Sequence, residues 1–167
     1  MRAGIALGSN IEPRLSNLQA AHRGLLALHR GPEPVLCSKV YETSPVLCPD
    51  GSPSFLNAVL ELTTDLAPRE LLGELQALEA ALGRPPHREQ NSPRAIDLDL
   101  IYCGDMTLSD PDLILPHPRL AERRFVLQPL ADIRPKFVLP HFTQTVEELL
   151  DQCKSSETMI TYAYTIS

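Results

Sequence analysis

Two aspartates separated by one residue, Asp97 and Asp99, have the types and spacing that most clearly suggest chemistry in this sequence. Apolar residues alternate with them, and this alternation predicts a β-strand over 96–102. Residues two apart on a strand share a face at a separation of roughly 7 Å, so the two carboxylates are expected side by side. Asp is a poor strand former and neighbouring like charges repel. A hard cation such as magnesium would remove that conflict.

The same pair has a second interpretation, as the solvated outer face of an edge strand. From the Asp-x-Asp pattern alone the two interpretations carry equal weight. Arg94, just upstream of the pair, favours the metal site. An arginine fork beside magnesium is the usual arrangement for binding phosphoryl groups. The sequence therefore predicts a magnesium site that holds the phosphates of a nucleotide.

A second candidate segment spans residues 115–125, where His117 stands between two prolines and three arginines follow within seven residues. The prolines restrict the backbone on both sides of the histidine, so its imidazole is presented from a stiff loop. Taken alone, the segment is better interpreted as a surface turn that leads into a charged helix start. Together with the aspartates, it predicts further phosphate-binding groups.

Three weaker signals have ordinary structural explanations. Residues 8–10 are Gly-Ser-Asn after an apolar run, but they lack the spacings of nucleotide-binding glycine loops, so a plain turn is favoured. Phe55 and Asn57 share one face of a predicted strand. They could bind a ligand, with Phe55 contacting a ring and Asn57 hydrogen-bonding to it, or they could be ordinary half-exposed strand residues. Gln76 and Glu79 lie on a predicted helix and are expected on its solvated face.

The elements that must position these residues follow from hydrophobic periodicity. Helices are predicted over 13–26 and 68–82, and strands over 3–7, 35–43, 55–64 and 96–102. The order strand, helix, strand, strand, helix, strand predicts an α+β fold, a ferredoxin-like βαββαβ sandwich. Additional C-terminal strands and short helices, near Leu120 and over 146–150, are expected to follow.

Length and composition limit the classes of partner. The 167 residues predict one domain over 1–150, followed by a loosely attached tail over 151–167. The net charge of −6 argues against nucleic-acid and anionic-membrane partners, which favour basic surfaces. The four cysteines are scattered, which favours reduced thiols over a disulfide framework or a zinc site. No apolar run approaches the ~20 residues of a membrane helix. We therefore expect a cytoplasmic monomer.

Five segments in order closely resemble the 6-hydroxymethyl-7,8-dihydropterin pyrophosphokinases of folate synthesis. The matching segments are 8–10, 41–46, 55–59, 93–100 and 115–125. Each segment is weak evidence by itself, but five in the family's order are highly specific. The resemblance implies transfer of a pyrophosphoryl group from ATP to the pterin's hydroxymethyl oxygen, which releases AMP.

The resemblance also implies roles for individual residues. Two magnesium ions would lie on Asp97 and Asp99, and the catalytic set would be Arg84, Arg94, Asp97 and Asp99. The ATP-binding residues would be Gln76, Glu79, Arg94, His117 and Arg123. The pterin pocket would comprise Thr43, Pro45, Val46, Phe55, Asn57 and Phe125. Because no strong general base is evident, catalysis would depend on positioning and charge neutralisation.

Other classes of protein remain as alternatives. A non-catalytic ferredoxin-like module could bind a nucleotide or a small effector. An RNA-recognition module would carry aromatic and basic residues on its sheet face, whereas aromatic residues make up only 5% of this chain, so we rank it last. An Asp-x-Asp nucleotidyltransferase would share the metal chemistry, but it explains neither the Phe55–Asn57 pair nor the segment around His117.

Overall fold

The computed structural model describes residues 1–45, 50–83 and 94–167. The strands are β1 (Arg2–Ser9), β2 (Leu36–Cys37), β3 (Tyr41–Thr43), β4 (Phe55–Thr63), β5 (Asp97–Cys103), β6 (Leu108–Asp110), β7 (Leu113–Leu115) and β8 (Met159–Thr161). The helices are α1 (Arg14–Leu26), α2 (Pro68–Ala81), α3 (Arg124–Ile133) and α4 (Val146–Gln152), with a short 3₁₀ turn over Leu120–Glu122. None of the described helices is long and apolar enough to cross a membrane.

The main sheet is antiparallel and has the strand order β5-β1-β4-β3-β8, with β2 paired to β4. The strands β5, β1, β4 and β3, connected through α1 and α2, form a ferredoxin-like arrangement. The predicted fold is therefore confirmed. The predicted strand over 35–43 is divided into β2 and β3. The Ser38 hydroxyl, rather than a backbone oxygen, accepts the hydrogen bond from Val59 N, so the regular ladder is interrupted there.

Helices cover both faces of the sheet. α1 and α2 pack on one face over an apolar core that includes Ile5, Leu7 and Leu98. α3 and α4 cover the other face, which we call the α3 face, through a second core around Val59 and Leu127. The sequence predicts short helices near Leu120 and over 146–150 but not α3, so this layer is larger than expected. It is the layer that lies over the candidate site.

The alternation predicted through residue 102 ends earlier, at Leu100. Gly4 of β1 pairs with Tyr102 and Ile5 pairs with Leu100, which leaves Ile101 as an extra residue in a β-bulge. Ile101 and Tyr102 therefore both join the core under α3. Gly4 makes room for this arrangement, because a Cβ there would lie 2.2 Å from the Tyr102 ring.

The C-terminal residues are more firmly held than the sequence predicts. β8 pairs with β3, and Ile166 is buried in the core under α1 and α2. Gln19 also donates a hydrogen bond to the carbonyl of Thr165. The expectation of loose attachment is therefore wrong, because the segment completes the sheet. The domain boundary at residue 150 stays a prediction.

Candidate active site

The two aspartates lie on the α3 face at the sheet edge formed by β5. Asp97 pairs with Gly8 and Asp99 pairs with Ala6, and directly opposed residues of antiparallel strands share a face. The small side chains of these partners leave room beside the carboxylates. The side chains of Asp97 and Asp99 are 22% and 39% exposed, respectively. β5 is an edge strand, and its aspartates are only partly exposed beneath α3, while the magnesium site stays a prediction.

An arginine contacts each carboxylate. Arg94 Nη1 donates to Asp97 Oδ2 at 3.1 Å, and Arg123 Nη1 donates to Asp99 Oδ2 at the same distance. Arg94 Nε is buried and has no hydrogen-bond partner within the described residues, so not all five N–H donors of this guanidinium are used there. Two cations therefore balance two anions in a partly desolvated site.

The turn after β1 holds Arg94 in place. Arg94 N donates to Asn10 Oδ1 at 2.7 Å, and Asn10 N donates back to the Arg94 carbonyl at 3.1 Å. Asn10 is buried, so this double contact is shielded from water. The plain turn that the sequence favoured over 8–10 is wrong in its bounds, because Gly8 and Ser9 are paired residues of β1 and only Asn10 follows the strand. The role of Asn10 in positioning Arg94 was missed, and its only sequence signal was an asparagine directly after a buried strand.

His117 lies beside Arg123 and Asp99 in one small cavity whose other walls are apolar side chains. Its Nε2 is 3.5 Å from Arg123 Nη1, and its Nδ1 accepts a hydrogen bond from Arg119 N. Burial, together with the positive charge of Arg123, lowers the pKa of His117. The imidazole is therefore neutral at physiological pH, and its Nε2 faces the site.

Two residues of the expected pterin pocket, Thr43 and Asn57, contact each other on the neighbouring strands β3 and β4. Asn57 is buried, and its Nδ2 donates to Thr43 Oγ1 at 2.7 Å. The Oδ1 of the same amide lies 3.1 Å from the position that a Cβ of Gly8 would take, with Phe55 also close by. Gly8 therefore keeps the floor between Asn57 and Asp97 open. Pro45 follows β3 and is half-buried.

Two phenylalanines connect this pocket to the arginines. Arg94 Cζ lies 5.7 Å from the Phe55 ring centroid, and Arg123 Cζ lies 5.6 Å from that of Phe125. Both distances are within the range of cation–π contacts. The site thus contains two similar units, each made of one aspartate, one arginine and one phenylalanine. One unit is built on β4 and β5, and the other joins β5 to the start of α3.

The two helix residues assigned to the nucleotide side have different environments. Gln76 is exposed, as expected, whereas Glu79 is only 3% exposed, so its expected solvated position is wrong. Glu79 Oε1 accepts a hydrogen bond from Leu98 N at 2.7 Å. Because Leu98 lies between the two aspartates on an edge strand, this bond fixes the backbone that carries them. Their roles in binding ATP stay predictions.

Two of the predicted site residues, Val46 and Arg84, lie outside the described residues. Within the described ranges, no group of three or more His, Cys, Asp or Glu side chains could hold a metal ion by itself. This result fits magnesium, which is commonly bound by one or two carboxylates together with substrate phosphates and water. The adjacent carboxylates of Asp97 and Asp99 are a suitable donor pair of that kind.

The sequence matches the family model described as 7,8-dihydro-6-hydroxymethylpterin-pyrophosphokinase over residues 4–135. The 2-amino-4-hydroxy-6-hydroxymethyldihydropteridine pyrophosphokinase of Pseudomonas aeruginosa is 41% identical over 154 residues, which cover 91% of each chain. The protein of the same name from Synechocystis is 41% identical over 150 residues, or 90% of this chain and 75% of the relative.

Longer proteins contain a similar region. The mitochondrial folate synthesis bifunctional protein of Arabidopsis thaliana is 44% identical over 133 residues, or 77% of this chain but only 23% of that protein. The solved structure of Plasmodium falciparum HPPK-DHPS has a TM-score of 0.70 at 13% identity, covering 90% of this chain and 44% of that chain. This structural likeness shows the fold, and the chain spans less than half of either longer protein.

Proposed function

The chain belongs to the 7,8-dihydro-6-hydroxymethylpterin-pyrophosphokinase family, whose reaction is pyrophosphoryl transfer to 6-hydroxymethyl-7,8-dihydropterin in folate synthesis, and we propose that it performs this transfer from ATP at Asp97 and Asp99. The observation that carries the proposal is the pair of aspartate–arginine–phenylalanine units on one sheet face. They combine an anionic metal site, cationic phosphate ligands and aromatic surfaces for a flat ring.

Asp97 and Asp99 would together hold two magnesium ions. When bound, magnesium would neutralise the phosphate charge and make the β-phosphorus more electrophilic. The two carboxylates are already separated by strand geometry and held by Arg94 and Arg123. Leu98 N, bonded to Glu79, keeps their shared backbone in place. Little reorganisation is then needed when the nucleotide binds.

Arg94, Arg123 and His117 would orient the triphosphate. Both guanidiniums are partly desolvated, at 14% and 20% side-chain exposure, so their hydrogen bonds to phosphate oxygens are stronger than in bulk water. The neutral imidazole of His117 adds a hydrogen-bonding group without another charge. Arg84 is proposed to add a further guanidinium, by resemblance to the family.

Asn57 would recognise the edge of the pterin ring, while Phe55 and Phe125 would contact its faces. The bond to Thr43 fixes the Asn57 amide, so its Oδ1 is directed as an acceptor toward the Gly8 side of the pocket. A pterin presents ring and amino N–H donors to such an acceptor. Aromatic stacking adds affinity that depends on a flat ligand. Pro45 and Val46 are proposed to complete the pocket.

The reaction needs no strong base in this arrangement. The pterin hydroxyl would attack the β-phosphorus of ATP in line, with AMP as the leaving group. Because its pKa is lowered, His117 is a weak base. It would donate or accept a hydrogen bond rather than become protonated. The rate enhancement would therefore come from holding the reactants together and from neutralising the developing charge.

The decisive experiment is to incubate the protein with ATP, magnesium and the pterin alcohol, and to identify the nucleotide product. AMP formation that requires magnesium supports the proposal. ADP formation would indicate transfer of a single phosphoryl group and contradict it. Saturable ATP binding without any AMP would instead support the non-catalytic module.

A variant series connects the reaction to the site. Asp99→Ala should lose AMP formation, whereas Asp110→Ala should retain it. Asp110 is a matched control because it also pairs with an arginine, Arg69, at 2.8 Å, but on the exposed surface. Equal activity of the two variants would show that Asp99 has no special role.

A further inference from the structure

Glu157, in the C-terminal segment, contacts the start of α3. Its Oε1 accepts a hydrogen bond from Phe125 N at 2.9 Å, and its other carboxylate oxygen accepts one from the Ser155 hydroxyl. Glu157 is 8% exposed, so the contact is shielded from water. The first N–H groups of a helix have no partner within the helix, and a carboxylate there is favoured by the helix dipole. Residue 123, at the N-cap position, contributes no side-chain cap to α3.

The next residue, Thr158, contacts the opposite wall of the pocket. Its carbonyl accepts a hydrogen bond from Ser44 N at 3.1 Å, and its N–H donates to Ser44 Oγ at 3.0 Å. Beyond it, Met159 pairs with Thr43 as β8 continues along β3. Consecutive residues of one segment therefore hold the Thr43–Ser44 wall and the Phe125 wall together.

These contacts act at the substrate end of α3. The other end of this helix is fixed to the sheet by separate contacts, since Asp132 accepts a hydrogen bond from Tyr41 and Arg134 pairs with Glu61. Near its beginning, the helix carries Phe125, and Arg123 directly precedes it. A small tilt at this end would change the distance between Phe125 and the β3 wall while the far end stayed in place.

We propose that residues 155–161, which we call the C-terminal strap, set the width of the pterin pocket, and that Glu157 is a positioning residue that acts through Phe125. This proposal rests on the proposed function, because it assumes that Phe125 and Thr43 contact the pterin. Glu157 itself does not need to touch the substrate. Its carboxylate holds the helix start, and Thr158 holds Ser44 at the end of β3.

The test compares Glu157→Ala with Glu148→Ala and Glu157→Gln. Glu148 is a matched control, because its carboxylate also accepts a backbone N–H at a helix start, from Thr145 at 2.8 Å, but at α4. We expect Glu157→Ala to raise the KM for the pterin alcohol about five- to tenfold, the scale of losing one helix cap. The KM for ATP should rise less, because Arg123 adjoins the same helix start but is also held by Asp99. Glu157→Gln keeps an acceptor oxygen and should restore most of the wild-type KM.

A second measurement is independent of catalysis. Hydrogen exchange of the Phe125 amide should be faster in Glu157→Ala than in the wild type, and Glu148→Ala should leave it unchanged. If the wild type made no AMP, the proposed function would fail, but this exchange result would still test the strap. Should Glu157→Ala not fold, Ser44→Ala removes one of the two bonds at the other wall, the one from Thr158 N to Ser44 Oγ, and should raise the pterin KM in the same direction.

Two results would overturn the proposal. One is an equal pterin KM in Glu157→Ala and Glu148→Ala, which would assign Glu157 a general role in stability. The other is unchanged exchange at the Phe125 amide in Glu157→Ala, which would show that the bond does not hold the start of α3.

Discussion

Two clusters of carboxylates and arginines lie on the α3 face, one at each end of β1. At the first end, Glu61 sits opposite Gly4 with only 2% exposure. It accepts hydrogen bonds from Arg2 at 2.6 Å, from Arg134 at 2.5 Å and from the Tyr102 hydroxyl at 2.5 Å. Burial alone would raise the pKa of Glu61, but these bonds lower it below its usual value.

At the second end, the charges are less enclosed. Asp97 and Asp99 sit opposite Gly8 and Ala6 with partly exposed side chains, and each pairs with an arginine at 3.1 Å. The buried cluster at Glu61 is surrounded by donors, so it leaves no surface for a ligand. The aspartate cluster retains exposed oxygen atoms beside an aromatic pocket. Carboxylates and arginines therefore form a structural clamp in one place and the proposed binding site in the other.

α3 joins the two clusters. It ends just before Arg134, which pairs with Glu61, and begins just after Arg123, which pairs with Asp99. The clamp at Glu61 thus holds one end of the helix whose other end reaches the proposed site. If this comparison is correct, changes at the aspartates should mainly affect turnover, and changes at Glu61 should mainly affect stability.

The largest expected effect is on catalysis. Asp97→Ala should lower kcat by about 10³-fold, because the site loses one of its two metal ligands. The melting temperature should change little, since the apolar face of β5 is untouched. The measurement is AMP formation at saturating substrates, with circular dichroism as the control for folding. Near-normal turnover would place the metal elsewhere.

A large effect on stability is expected at the other cluster. Glu61→Ala leaves Arg2, Arg134 and Tyr102 without their shared partner, and it should lower the free energy of unfolding by about 3–5 kcal/mol. Denaturant unfolding measures this difference. Glu147→Ala is the control, because Glu147 pairs with Lys136 at the surface and should change stability by less than about 1 kcal/mol. Similar losses in both variants would remove the distinction between the clusters.

A smaller effect is expected where the pocket floor must stay open. The Cβ of Gly8→Ala would lie 3.1 Å from Asn57 Oδ1, so the amide must shift. We expect the KM for the pterin alcohol to rise roughly tenfold, since small displacements of positioning groups have effects of this size. Gly73→Ala is the matched control, because nothing lies within 4 Å of its Cβ position. An unchanged KM in Gly8→Ala would separate Asn57 from pterin recognition.

The smallest effect concerns pH. The pKa of Glu61 is lower in the folded protein than its ordinary value of 4.5, so its ion pairs stabilise the fold above that pH. The contribution should decrease as the pH falls through the folded-state pKa. The melting temperature of the wild type should therefore fall on acidification more steeply than that of Glu61→Gln. Parallel curves would show that Glu61 does not contribute to acid sensitivity.

Much of the framework was predictable from local patterns. β1, β4, β5, α1 and α2 were predicted within a few residues of their observed bounds, because apolar periodicity and flanking turns encode them locally. α3 was not predicted, and the sequence is unfavourable for it because Pro129 lies inside the helix and a proline argues against a helix interior. Packing against the sheet compensates for the hydrogen bond that this proline removes.

The candidate site was only partly predictable. Arg94 and His117 were found through their neighbours in sequence, and their proximity to the aspartates is confirmed. Asn10 and Glu157 were missed, because each acts on the backbone of a residue far away along the chain. Glu79 was assigned to the solvated face of its helix, because its position relative to the leucines of α2 did not indicate that β5 covers it.

The sequence by itself determined that Asp97 and Asp99 share a face, because the two-residue repeat of a strand is a property of the local backbone. Only the tertiary structure decided which groups meet that face. Arg123 reaches Asp99 because α3 crosses the sheet, and Glu157 reaches Phe125 because β8 completes it. These contacts depend on the packing of distant elements, which no local period specifies.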